Sequence, residues 1–145
     1  QKAGRQGLII TAKLHIMASA IATSLEYLVE KLGDPQAQIY QHLYQQYPEV
    51  LPLFVLDTDG GVRGAMLQTT LETILDYATH NRLDHVSLAA WRSHHVGYEV
   101  DAELFARFFV IIRDCAKDAL GCEWSLDMEI AWAELIRQVE ASEEA

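Results

Sequence analysis

Cysteine, proline and positive charge are all scarce in this 145-residue chain, and each scarcity excludes something. The two cysteines, Cys115 and Cys122, are seven residues apart. On one helix their Cα atoms would stand about 10 Å apart at ~1.5 Å of rise per residue, beyond the ~7 Å that a disulfide can span. No local bridge is expected, and a pair of free thiols suits a reducing, cytoplasmic compartment. Neither cysteine belongs to a CxxC pair of the kind that binds zinc. The three prolines, Pro35, Pro48 and Pro52, all fall in the first 52 residues, so no proline interrupts long helices after them. Alternating β patterns with hairpin turns are absent. The longest apolar runs, such as Phe108–Ile112, fall far short of the ~20 residues needed to span a bilayer. Leu8–Ile10 is too short for the apolar region of a signal peptide. With 11 Lys and Arg against 21 Asp and Glu, the formal charge is −10. That excess argues against nonspecific binding of nucleic acid and against an anionic membrane surface.

What is present is apolar and helically spaced. Half of the residues are hydrophobic, enough for one sizeable core in a chain of single-domain length. A first helix is expected from about His15 to Leu32, with Ile21, Leu25, Leu28 and Leu32 on one stripe. Asp34-Pro35 marks a restart, because Asp can cap exposed amides and Pro is pre-set for a first helical turn. The second helix should run to about Gln46 with Ile39, Tyr40, Leu43 and Tyr44 inward, before Pro48 and Pro52 force a corner ending near Phe54. After a DTDGG loop, a helix is expected over Val62–Thr79, with Leu67, Leu71, Ile74, Leu75 and Ala78 on its face. A short helix follows over His85–His94, with Gly97 past its end. Asp101 would cap Ala102–Leu120, whose inward residues are Leu104, Phe105, Phe108, Phe109, Ile112 and Cys115, and Gly121 would stop it. Ser125 would cap a last helix over Leu126–Val139, with Ile130, Leu135, Ile136 and Val139 inward and a solvated acidic end beyond. The expected architecture is all-α, six to eight helices crossing obliquely. Residues 1–17 read as an N-terminal extension or a cloning remnant, 18–141 as the domain and 142–145 as an acidic tail.

The chemistry-bearing residues are few. His94-His95 closes the short helix and a glycine corner follows it. The pair reads either as surface histidines or as an imidazole projecting between helices, its second nitrogen bonded to a carbonyl near Trp91 so that one tautomer is fixed. There is no HExxH and no zinc-type cluster. One nitrogen ligand is too few for zinc but suffices for haem iron, because the porphyrin supplies four nitrogens. No phosphate loop or GxSxG nucleophile motif occurs.

The order Tyr40, Pro48-Glu49, Phe54, Arg63-Gly64, Leu67, His95-Val96-Gly97-Tyr98-x-Val100 and Ala131-Trp132 resembles the globins, and most of all bacterial single-domain globins and the haem domain of flavohaemoglobins. The resemblance runs from about Ala18 to Val139. It implies a globin-like fold around a haem b pocket, with His95 as the proximal ligand of the iron. Phe54, six residues after Pro48, would wedge against the porphyrin, and Tyr40, eight residues before Pro48, would point over the iron. There its hydroxyl would donate to a bound diatomic ligand; otherwise it is a core tyrosine with its hydroxyl at the rim. Arg63, 32 residues before His95, stands where histidine or glutamine is usual. It would bond a ligand, pair with a haem propionate or turn to solvent, with Gln68 as the alternative polar residue. Gly64 would be the small residue at a helix contact. Leu67, Trp91, Val100, Leu104 and Phe108 would wall the pocket, and His94 would contact a propionate or lie exposed. No histidine precedes His80 on the Val62–Thr79 helix, so a second axial histidine is not expected. Phe105 departs from the tyrosine common in the bacterial globins that the chain resembles, which argues against strongly activated, peroxidase-like chemistry. Trp124 and Trp132 read as structural.

The function so implied is reversible binding of oxygen, nitric oxide or carbon monoxide, for oxygen transport or gas sensing. Two alternatives belong to other classes: a nitric oxide dioxygenase served by an external reductase, and a haem-free, globin-shaped sensory domain. Self-association into a homo-oligomer is compatible with the sequence.

Overall fold

Helical spacing lets each segment satisfy its backbone amides and carbonyls internally, which burial requires. The computed structural model describes residues 20–80, 83 and 102–143, with only the backbone of 102–105 and 143. Among the described residues there are helices and tight connections and no strand, so the all-α expectation holds there. The elements are α1 (20–32), α2 (Gln36–Gln46), a 3-10 helix (Pro48–Phe54), α3 (Gly61–His80), α4 (Ala102–Leu120), a 3-10 turn (Gly121–Glu123) and α5 (Leu126–Glu143). No helix among the described residues is long and apolar enough to cross a membrane. The expected short helix over His85–His94, Gly97, the Asp101 cap and residues 1–19 lie outside the described residues.

The punctuation residues act much as expected. Gly33 ends α1 in the left-handed region at φ +70°, its amide bonded to the Val29 carbonyl. Asp34 Oδ1 accepts the Gln36 amide at 3.0 Å while the Pro35 carbonyl takes the Ile39 amide, which starts α2. The proline corner is a seven-residue 3-10 helix with Pro48 at its start. Ser125 Oγ accepts the Met128 amide at 3.1 Å and caps α5.

Among the described residues the core is one cluster drawn from α1 to α5 and the proline corner. Helix α4 packs on both α2 and α5, and the short Gly121–Ser125 connection folds α5 back along α4 as a hairpin. Trp132 is fully buried and donates from Nε1 to Ser24 Oγ at 2.9 Å, tying α5 to α1; Ser24 Oγ donates in turn to the Ile21 carbonyl.

Three expectations need correction. Leu75 and Ile130 are exposed, at 43% and 46%. Helix α3 buries Leu67, Thr70, Ile74, Tyr77 and Ala78 instead. Thr70 can be buried because its hydroxyl bonds the Met66 carbonyl one turn back. Ile130 stands about 140° around α5 from fully buried Leu135, at 3.6 residues per turn. The last helix also runs on to Glu143 rather than stopping at Val139, with Val139 and Ser142 both buried.

Candidate functional site

The aromatic residues of the first half converge on Tyr40. Its ring lies 5.7 Å from Phe54, edge to face, 5.7 Å from Phe108 and 6.0 Å from Tyr44, measured between centroids. Three elements supply this cluster. Helix α2 presents Tyr40 and Tyr44 one turn apart, the proline corner turns Phe54 toward them, and α4 brings Phe108 from the far side. Tyr40 and Phe108 are buried while Phe54 and Tyr44 are half-buried. Leu67 of α3 is buried in the same core. Tyr40, Phe54 and Phe108, singled out in the sequence, therefore meet in one aromatic cluster, and Leu67 lies in the larger core that the cluster joins.

The polar groups beside that cluster have specific partners. Tyr40 donates its hydroxyl hydrogen to the Arg63 backbone carbonyl at 2.9 Å. Burial pushes the phenol's pKa well above its ordinary value, so it stays a neutral donor. Arg63 does not swing into solvent: Nε reaches Asp57 Oδ2 at 2.9 Å, Nη2 the Asp57 carbonyl at 2.7 Å and Nη1 the Tyr44 hydroxyl at 3.3 Å. Gln68, the alternative, is exposed and bonds Glu72. Gly64 meets only the side-chain end of Gln36, whose Oε1 would lie 3.1 Å from an added Cβ.

Asp57 is the residue that sequence reasoning missed. It is 8% exposed, and its carboxylate accepts the amides of Val62 and Arg63, both at 2.9 Å, capping α3. Burial alone would raise this carboxyl's pKa, but the amides of Arg63 and Val62 and the Arg63 guanidinium hold it below the usual carboxylate range. The cap pattern, an Asp just before a helix, points to Asp59, which accepts the Gly61 amide, rather than to Asp57 four residues ahead of α3. The neighbouring Asp59 and glycines made the stretch read as a plain loop. Gly60 there takes φ +75°, and its carbonyl accepts from Gln36 Nε2.

A cleft of about 820 Å³ opens between α2 and the turn before α3, and Tyr40, Tyr44, Arg63, Gln36 and Asp59 line it. It brings solvent close to the Tyr40–Arg63 pair.

No protein-family model, curated protein or solved structure matches the chain. The site has to be judged on its own residues. Of the other sequence candidates, His95, His94, Trp91 and Val100 lie outside the described residues, and so do the side chains of Leu104 and Phe105. Among the described residues no group of three His, Cys, Asp or Glu side chains could hold a metal ion. Chemically, the cluster offers an apolar surface of rings tilted 41° to 77° to one another, with two neutral hydroxyls, those of Tyr40 and Tyr44, as its polar atoms. By residue type, an apolar aromatic surface with few polar atoms is compatible with a porphyrin, whose iron ligand would have to be His95, outside the described residues.

Proposed function

We propose that the chain is a haem b protein that reversibly binds oxygen or another diatomic ligand, nitric oxide or carbon monoxide, for oxygen binding, transport or gas sensing. The observation that carries this reading is the meeting of Tyr40, Phe54 and Phe108, on three different elements, in one aromatic cluster of the core. The resemblance to globins assigns to those positions the lining of a haem pocket. Haem, when bound, supplies an iron site that takes small ligands reversibly. The chain's own residues supply the rest. His95 would supply the imidazole that holds the iron. Phe54, Leu67 and Phe108 exclude water. Tyr40 holds one hydrogen that can be donated to a polar ligand, favouring oxygen over carbon monoxide.

A haem-free, globin-shaped sensory domain is the second reading. One observation favours it: Tyr40 and Arg63 have their partners within the protein.

Absorption spectra of the ferrous, oxygenated and carbonyl forms separate the two. Haem binding predicts a pigmented protein, loss of haem in His95→Ala, and in Tyr40→Phe faster oxygen dissociation with haem retained. A folded, colourless protein that refuses added hemin supports the haem-free domain.

A further inference from the structure

Asp57 sits at a junction that the haem reading leaves unused. Its carboxylate holds Arg63 twice, at the backbone amide and at Nε, and its carbonyl accepts Nη2. Its own amide donates to the Phe54 carbonyl at 3.0 Å. Phe54 packs edge to face on Tyr40, and the Arg63 carbonyl accepts the Tyr40 hydroxyl. One of the three rings around the phenol and the carbonyl that accepts its hydrogen are therefore fastened to one buried residue, Asp57.

We propose that Asp57 is a positioning residue for Tyr40, setting how its single hydroxyl hydrogen is divided between the Arg63 carbonyl and a ligand in the pocket. A phenol has one hydrogen to donate. While the first turn of α3 is clamped by Asp57, the Arg63 carbonyl stays 2.9 Å from Tyr40 Oη and competes for it. Without the carboxylate, two amides of that turn lose their acceptor and Arg63 loses its ion partner. The carbonyl then drifts, and the hydrogen passes more often to the ligand.

This inference rests on the haem reading for its ligand, and two measurements keep the two apart. In protein labelled with 3-fluorotyrosine, the fluorine resonance that disappears in Tyr40→Phe belongs to Tyr40. Asp57→Ala should shift that resonance and leave the Tyr77 resonance in place, with or without hemin. In hemin-loaded protein, Asp57→Ala should slow oxygen dissociation severalfold, and this change should vanish when Tyr40→Phe is added. Asp57→Asn keeps one oxygen to accept the Val62 amide; it should act in the same direction, less strongly, and serves if the alanine variant does not fold. An unmoved Tyr40 resonance overturns the proposal, as does a change in dissociation rate that survives Tyr40→Phe. Failure to take up hemin removes the haem reading and the ligand half of this one, while the fluorine signal still decides whether Asp57 holds Tyr40.

Discussion

Trp132 shows how much one side chain can carry in a domain of this size. It is fully buried, and its indole donates to Ser24, a buried residue whose hydroxyl is itself committed to Ile21. Replacing a buried tryptophan with alanine removes packing and leaves a cavity, typically at a cost of ~3–5 kcal/mol. Against a total of ~5–15 kcal/mol for a small domain, Trp132→Ala should move the urea midpoint far down or prevent folding. A midpoint near the wild type's would mean that the α1–α5 contact is not part of the stable core. Tyr40→Phe is the milder test. It keeps the ring contacts with Phe54 and Phe108 and removes one hydrogen bond of about 1 kcal/mol. Its effect should appear in ligand dissociation far more than in the melt. Tyr40's place in the core was readable from the stripe Ile39, Tyr40, Leu43. Its hydrogen-bond partner was not, because Arg63 is 23 residues away and a sequence does not say which carbonyl a fold will bring near.

The helix starts are local chemistry. Ser125→Ala removes the oxygen that accepts the Met128 amide, and a lost cap costs ~1 kcal/mol; calorimetry should record a modest fall in melting temperature with no loss of helix content. The α3 cap adds a dependence on pH. Folding lowers the Asp57 pKa, so the carboxylate adds stability that is complete above its unfolded value of about 3.9. That contribution is lost as pH falls through the lower folded value. The stability gap between wild type and Asp57→Asn should be constant near neutral pH, narrow below about 4 and close in stronger acid. A gap that widens on acidification would contradict the assignment. Gly33, Pro35, Pro48, Gly121 and Ser125 could all be read in advance, since each acts on its own neighbours in the chain. Leu75 and Ile130 could not. Either side of an apolar stripe can face inward until the neighbouring helix is in place.

The assembled molecule joins a helical hairpin, α4 and α5, to an aromatic cluster contributed by α2, the proline corner and α4. A cofactor that binds only the folded chain raises stability by RT ln(1 + [L]/Kd), about 4 kcal/mol at a thousandfold excess over Kd. The haem reading thus predicts a melting temperature that climbs with hemin concentration and stops climbing in His95→Ala. A melt indifferent to hemin favours the haem-free domain.

By itself the sequence determined the helical class, most of the helix ends and the apolar stripes, because periodicity, caps and proline act over a few residues. It also marked Tyr40, Phe54, Leu67 and Phe108 for the core. Only the tertiary structure decided that Arg63 bonds Asp57 and Tyr44, and that Tyr40 donates to a backbone carbonyl of α3. Hydrogen bonds and ion pairs need atoms within about 3 Å. Which long side chain meets which acceptor is fixed by the packing of whole helices, not by the residues next to it in the chain.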